Sequence, residues 1–313
     1  MPPFFVDTSG RWSSGGSVVL NNLMLAADAS DGLLTTDFRP DAIPLIPRNV
    51  PTSWVKMGRR FVWMPQNALP WGPPAPAERA LQRKLRVVSE IARLRATAMV
   101  RISSALPPLM HGRTSPVLHN VLDEAFEDIL EHLIPEVTGA FITAGSAHSY
   151  RNLSVLANGY ALYRTAGGQT PMIIQLSVGS PSEMALVVSL GTEIDGLEVR
   201  ETDASRQTVA NLMAGARGVI LSSSVEASPV TLLEVQAIGV RVACSDILAH
   251  REMSQTECAF FDPTDPRSIR VALHLMDDGP TTLQNELSDP AFRHLERMRW
   301  TQALLNFLTI IDV

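Results

Sequence analysis

Residues 218–246 constrain the fold of this chain more than any other stretch. Val219–Leu221 is a short, wholly apolar run, the signature of a strand buried on both faces of a parallel sheet. Ser222–Ser224 end it. Ser228 is placed to cap a helix, and Pro229 to begin it, where a missing N–H costs nothing. Leu232, Leu233, Val235, Gln236 and Ala237 carry the helix on, Gly239 ends it through a left-handed cap, and Val240–Ala243 is the next strand. Strand, helix and strand at these lengths predict a parallel sheet with crossover helices. They also put the loop after Leu221 at the carboxyl end of a strand, where ligands bind in open α/β sheets.

Two carboxylates bracket that loop. Glu226 lies in it, and Glu234 lies about two turns into the helix, with seven residues between them. The helix N-terminus offers unused N–H groups and partial positive charge, which suits a phosphate. Pro229 cannot donate, so Val230, Thr231 and Leu232 are the expected donors, with Ser228 beside them. Carboxylates do not bind phosphate, but they accept hydrogen bonds from hydroxyl groups. The pattern therefore suits a phosphate flanked by two polyols, as in a nucleotide sugar.

The alternation extends through the second half of the chain. Strands are expected at Gly139–Ala144, Met172–Val178, Leu197–Glu201, Gly218–Leu221, Val240–Ala243 and Ala259–Phe261. Helices are expected at Asn152–Thr165, Ser182–Ile194, Ser205–Ala214, Pro229–Ile238, Ile247–Ser254 and Arg267–Asp277, then Leu283–Arg297 and Trp300–Ile311. The first half is less regular. Residues 3–8 read as a strand, Ser9–Ser17 as a loop holding Gly15 and Gly16, and Val18–Ala27 as a helix. Glycines there suit either close approach to a phosphate or a tight turn. Residues 28–60 show no period. Phe61–Met64 and Ala98–Ser103 read as strands, and 124–138 as a helix and linker.

Residues 75–97 form a long basic helix with Leu81, Leu85, Val88, Ile91 and Leu94 as its apolar stripe. Its basic face is either solvated or meets anionic lipid or a lipid-diphosphate acceptor.

At 313 residues, 45% hydrophobic and 19% charged, the chain can hold two globular domains. A net charge of −6 gives no basis for expecting nucleic-acid binding. Cys244 and Cys258 have no metal-ligand spacing and read as free thiols in a reducing compartment. No apolar run reaches membrane-spanning length and no leader pattern opens the chain, so a cytoplasmic location is expected, with the basic helix as the contact to the inner membrane face.

In order, Ser223-Ser224, Glu226, Glu234, Ala237, Gly239 and Ser245-Asp246 resemble the two-glutamate block of family 4 glycosyltransferases. Ile247–Glu252 with Phe261-Asp262-Pro263, the Asn120–Asp123 turn and the C-terminal helix are similar to further parts of that family. The resemblance covers 139–311 well and 1–123 in patches.

It implies an α/β, GT-B fold of two Rossmann-like domains flanking a ligand cleft. Residues 1–135 would form a short acceptor-side domain and 136–292 the nucleotide-sugar domain, with 293–313 as a helix returning to the first. Arg151 and Asn152 resemble the Lys-Asn-Leu element whose cation holds the diphosphate. Ser146 stands after Gly145 where many members carry a second cation, an arginine; Arg11 is a candidate substitute. Gly15 and Gly16 resemble the opening glycine loop, and Gly179 the glycine turn near the nucleotide. Gln66 and Asn67 resemble a loop near the transferred sugar, or simply brace a proline turn.

By resemblance, Glu234 meets the ribose and Glu226 the transferred sugar. Glu252 is a secondary site candidate, while His119 and His250 read as structural. The implied activity is retaining, metal-independent hexosyl transfer from a nucleotide sugar to a saccharide or lipid-linked acceptor, with no cofactor beyond the donor. The alternatives are a degenerate binding or scaffold protein of the same fold and a nucleotide-sugar epimerase.

Overall fold

The computed structural model describes residues 4–8, 14–38, 42–47, 60–72, 79–280, 282–283 and 285–311. In the first half, β1 (Phe4–Val6), β2 (Leu34–Thr35), β3 (Ile43–Ile46), β4 (Val62–Trp63) and β5 (Ala98–Met99) form one parallel sheet in the order β2-β1-β3-β4-β5. Two of these strands lie in the segment without a readable period. β2 has 2 residues, too few to alternate, and β3 carries Pro44, which cannot donate to a ladder. Helix α1 (Ser14–Asp28) starts earlier than expected. Gly15 and Gly16 therefore stand in its first turn and not in a loop, while residues 9–13, with Arg11, lie outside the described residues.

Helix α2 (Arg79–Arg95) is rotated by about one position from the expected orientation: of the expected stripe, Leu85 packs half-buried on the first core and Val88 is half-buried, while Leu81, Ile91 and Leu94 are exposed. It buries Gln82, Ser89 and Ala92, and it exposes Leu81, Val87, Ile91 and Leu94 to solvent. Gln82 is held inside by donating to the Leu69 and Gly72 carbonyls, 3.0 Å each. Leu81, Val87, Ile91 and Leu94 form an outer apolar surface.

The second sheet contains β6 (Phe141–Ala147), β7 (Met172–Gly179), β8 (Leu197–Glu201), β9 (Gly218–Leu221), β10 (Val242–Ser245) and β11 (Ala259–Phe261). Its order is β11-β10-β9-β6-β7-β8, all parallel. The chain winds outward from β6 to β8, returns, and winds out on the other side from β9 to β11. Loops leaving β6 and β9 therefore diverge at their carboxyl ends, which opens a crevice there. β6 extends three residues beyond its expected end through a register shift between Gly145 and Ala147. Gly179 faces that irregularity: a Cβ there would lie 2.4 Å from the Ala147 carbonyl oxygen, so only glycine lets the strands close.

Helices α4 (Leu153–Thr165), α5 (Pro181–Glu193), α6 (Arg206–Ala214), α7 (Val230–Ile238), α8 (Leu248–Met253) and α9 (Pro266–Asp277) connect or flank these strands. Helix α3 (Glu124–Glu131) opens the segment 124–138 expected as a helix and linker, and α10 (Pro290–Ile310) is one helix where two were expected, at Leu283–Arg297 and Trp300–Ile311. Asp289 caps α10 by accepting the Ala291 N–H at 2.9 Å. At its start α10 meets α3, where Arg293 and Arg297 both donate to Glu127. At its end it crosses to the first sheet, and Trp300, Leu304, Phe307, Leu308 and Ile311 share one apolar cluster with Phe4, Leu23, Ile46 and Trp63.

Leu304 is fully buried in that cluster and Ile310 is 71% exposed on the same helix. Leu304→Ala should lower the unfolding free energy by about 2–5 kcal/mol in chemical denaturation. Ile310→Ala should stay within about 0.5 kcal/mol of the parent. Equal losses would contradict this packing.

Candidate functional site: the crevice between β6 and β9

Two loops meet at the crevice, 148–152 after β6 and 222–229 after β9. Ser222 Oγ donates to the Arg151 carbonyl (2.7 Å), Ser224 N–H to the Tyr150 carbonyl (2.8 Å), and Asn152 Nδ2 to the Ser222 carbonyl (3.4 Å). Asn152 sits at φ +51°, a left-handed conformation that asparagine tolerates, and turns the chain into α4. Three serines that end β9 thus fasten it to the loop carrying the cation.

Arg151 is the centre of this junction. Its Nη1 donates to Glu226 Oε1 at 2.5 Å and to Ser223 Oγ at 3.0 Å. Its guanidinium lies 5.6 Å from the centroid of the Tyr150 ring. Attraction to Glu226 raises its pKa further, so it is charged at any working pH. Nε is buried and has no hydrogen-bond partner. Behind the loop, Ser245 Oγ donates to the Ser223 carbonyl, and His250 Nδ1 lies 2.9 Å from the Ser245 carbonyl. Burial holds the His250 imidazole below its usual pKa, which keeps it neutral as part of the scaffold.

The loop is also anchored in the first half of the chain. Val225 and Ala227, on either side of Glu226, are buried in the first sheet's apolar cluster. A Cβ on Gly72 would come within 2.6 Å of Val225 Cγ2, so the absence of a side chain there makes room for the loop. Ser228 does not cap α7, whose cap residue is Pro229. It accepts the Asn120 N–H instead, at 3.1 Å, which adds a bond from the connecting segment.

Glu234 is engaged elsewhere. It accepts from Arg206 Nε at 2.7 Å, and Arg206 Nη1 donates to the fully buried Asp123 at 2.9 Å. Asp123 also accepts from Asn21 of α1, at 2.7 Å. Burial outweighs the arginine and leaves the Glu234 pKa above its usual value. Arg206 was not anticipated. It opens α6, where the helix dipole disfavours a cation, so only a tertiary partner explains an arginine at that position.

The remaining expected residues scatter around this centre. Ser146 lies in β6 beside the bulge, and Gly179 ends β7 against Ala147. Val230 and Thr231 open α7, but the Leu232 N–H bonds to the Pro229 carbonyl at 3.1 Å and is not a free donor. Gln66 donates to the Met64 carbonyl and Asn67 accepts from the Leu69 N–H, so both brace their own turn. Glu252 accepts from Ser103 Oγ at 2.7 Å, across from the first sheet. Among the described residues, no group of three or more His, Cys, Asp or Glu side chains is placed to hold a metal ion.

No protein-family model matches the sequence, and no curated protein matches it. Solved structures do. Anabaena HepE, in complex with UDP and glucose, superposes with a TM-score of 0.64 at 13% identity, over 99% of this chain and 100% of that one. A UDP-forming α,α-trehalose-phosphate synthase from Burkholderia vietnamiensis gives 0.62 at 10% identity, over 97% and 82%. The N-terminal domain of Candida albicans trehalose-6-phosphate phosphatase gives 0.63 at 10% identity, over 95% and 75%. At such identities the likeness is one of architecture: two parallel α/β sheets arranged as in GT-B glycosyltransferase structures.

Proposed function

We propose that the chain is a retaining glycosyltransferase that moves a hexose from a nucleoside diphosphate sugar to a saccharide or lipid-linked acceptor. The observation that carries this reading is Arg151, a charged and partly exposed guanidinium held by Glu226 and Ser223 at the switch point of a doubly wound sheet. The first turn of α7 lies on the same loop. Together they supply positive charge where a departing diphosphate needs it. UDP is the first nucleotide to test, because proteins of like fold include a UDP complex and a UDP-forming synthase. Residues 1–135 would serve the acceptor, 136–292 the donor, and 293–313 would tie the second domain to the first.

In this reading Glu226 holds Arg151 while the crevice is empty. A bound diphosphate takes over the guanidinium and releases Glu226 to accept hydrogen bonds from the hexose hydroxyls. The bond between the anomeric carbon and phosphate oxygen breaks, and its electron pair leaves on the diphosphate. The acceptor hydroxyl oxygen bonds to the same carbon on the same face, and its proton passes to the departing phosphate oxygen. Arg151, Val230 and Thr231 stabilise the leaving charge, with no resident metal or cofactor required. Glu234, steadied by Arg206, accepts from the ribose hydroxyls.

One observation favours a second reading, a binding or scaffold protein. The two expected donor-contacting glutamates are each closed on an arginine, and Ser146 stands where a further cation would assist. The two readings share a nucleotide site and differ in turnover.

Arg151→Ala should weaken UDP binding by about 1.5–3 kcal/mol in calorimetry, the range for a hydrogen bond to a charged group. Glu226→Gln should bind UDP at least as tightly as the parent, because it removes the carboxylate that competes for Arg151, yet it should slow transfer from a UDP-hexose. Unchanged affinity in Arg151→Ala contradicts the assignment. UDP binding by the parent chain without transfer from any nucleotide sugar selects the scaffold reading.

Helix α2 fits the lipid-linked branch of the acceptor proposal. Leu81, Val87, Ile91 and Leu94 are exposed beside Arg83, Lys84, Arg86 and Arg95, a pairing of apolar and cationic groups that suits an anionic membrane surface. The chain should float with phosphatidylglycerol vesicles and not with phosphatidylcholine vesicles. The double variant Leu81→Asp, Ile91→Asp should stay in solution. Equal flotation of parent and variant would rule out this surface.

A further inference from the structure

A second cavity, of about 340 Å³, lies in the first half of the chain, between α2 and the turn that ends at Gly72. Gly72, Arg79, Gln82, Arg83 and Arg86 line it, and Arg151, Ser223 and Glu226 are not among its walls. It is separate from the β6/β9 crevice but adjoins it. Gly72 is the residue whose missing side chain makes room for Val225, and Val225 precedes Glu226 in the loop after β9. The wall at Gly72 is fixed in place. Gln82, only 8% exposed, donates to the Leu69 and Gly72 carbonyls at 3.0 Å each, which ties that turn to the helix. The volume is at the small end of the roughly 300–1,000 Å³ range of ligand pockets.

The charge of its walls has one sign. Arg79, Arg83 and Arg86 stand at i, i+4 and i+7 of α2, so they share one stripe of the helix. All three are exposed, and their guanidiniums are open to a ligand. Among the described residues none of the three has a hydrogen bond or an ion pair. The carboxylate one turn further along the stripe, Glu90, is already engaged: it accepts from Trp71 Nε1 at 2.7 Å and from Arg93 Nη1 at 2.6 Å. Like charges at this spacing oppose one another on a helix. Three of them around one cavity, with no internal countercharge, form a site that an anion completes.

Phosphate oxygens suit these walls, because a guanidinium offers them paired, charge-assisted donors. We propose that this cavity binds the phosphate or diphosphate group of the acceptor, held by Arg79, Arg83 and Arg86, so that the acceptor is an anion and not a neutral saccharide. Sugar phosphates and lipid-linked diphosphates both carry this group. Val87, Ile91 and Leu94 are exposed further along the same helix, and a lipid chain attached to the phosphate would meet them. Gly72 places the pocket against the loop that carries Glu226, on the side of the chain proposed to serve the acceptor. The role in acceptor binding rests on the transferase reading above, whereas anion binding by the three arginines stands without it.

Calorimetry of the full chain with inorganic pyrophosphate provides the test. Arg151→Ala removes the cation of the crevice, so the pyrophosphate it still binds reports on this cavity. It should bind one pyrophosphate saturably. Adding Arg83→Gln should weaken that binding about tenfold or more, as for one hydrogen bond to a charged group, and adding Arg83→Gln with Arg86→Gln should abolish it. Both arginines are exposed, so these variants should unfold at the temperature of Arg151→Ala. Competition then identifies the source of the phosphate. Displacement by glucose 6-phosphate assigns the pocket to a sugar phosphate, and displacement by geranyl diphosphate but not by glucose 6-phosphate assigns it to a lipid diphosphate. With Arg151 intact, Arg83→Gln should keep the parent's UDP affinity. Pyrophosphate held by these arginines in a chain that binds no UDP would overturn the transferase reading and leave the anion site standing. No pyrophosphate binding by Arg151→Ala, undiminished affinity after both glutamine substitutions, or displacement by neither organic phosphate would overturn the proposal.

Discussion

The contact between Arg151 and Glu226 joins the two loops whose divergence creates the crevice, and the rest of the site is arranged to hold it. Ser222, Ser223 and Ser224 each bond to the Tyr150–Arg151 segment, so the end of β9 cannot move without the cation. Val225 and Ala227 fix the glutamate from the other side by burial in the first sheet's core. An arginine and a carboxylate at 2.5 Å satisfy each other, and removing one partner would strand the other in a poorly solvated place. An anion with the geometry of a diphosphate offers the guanidinium equivalent acceptors, and the displaced Glu226 carboxylate then needs donors of its own, which the sugar hydroxyls supply in the proposed donor complex. The pair thus serves both as a latch for the folded loop and as a preformed anion site.

A second set of charges fixes how the two halves meet. Asp123, with no exposed side chain, takes hydrogen bonds from Asn21 of α1 and Arg206 of α6, and Arg206 reaches on to Glu234. Buried ionic groups contribute little net stability, but each tolerates few alternative partners. This network therefore selects one arrangement of α1, the connecting segment, α6 and α7. It also couples Glu234 to that arrangement, since the carboxylate proposed to meet a ribose is oriented by an arginine that bridges both halves. Helix α10 adds the apolar counterpart by placing Trp300 and Leu304 in the first core.

Much of this was legible from the sequence, and the exceptions have physical causes. The second sheet could be read because most of its strands are buried apolar runs, its edge strand β8 (Leu197–Glu201) alternates, and helices with good start and stop residues separate them. The left-handed cap at Gly239 appears at φ +82° as expected. The first sheet was hidden where strands are too short to show a period, as at Leu34–Thr35, or contain a proline, as at Pro44. Helix α2 misled for another reason: periodicity finds an apolar stripe but not its exact facing, and here the buried face is turned toward Gln82, Ser89 and Ala92, leaving Leu85 at its edge and Leu81, Ile91 and Leu94 outside. The glutamates and Arg151 were visible through spacing and resemblance. Their partners, Ser223 and Arg206, come together only through tertiary contacts, which no local pattern encodes.

The most direct measurement of the central claim is a crystal structure of the chain soaked with UDP. The diphosphate should lie on the Arg151 guanidinium and the N–H groups of Val230 and Thr231, with Glu226 released from its 2.5 Å contact and turned toward the position of the sugar. A diphosphate bound elsewhere, with Arg151 still closed on Glu226, would contradict the account.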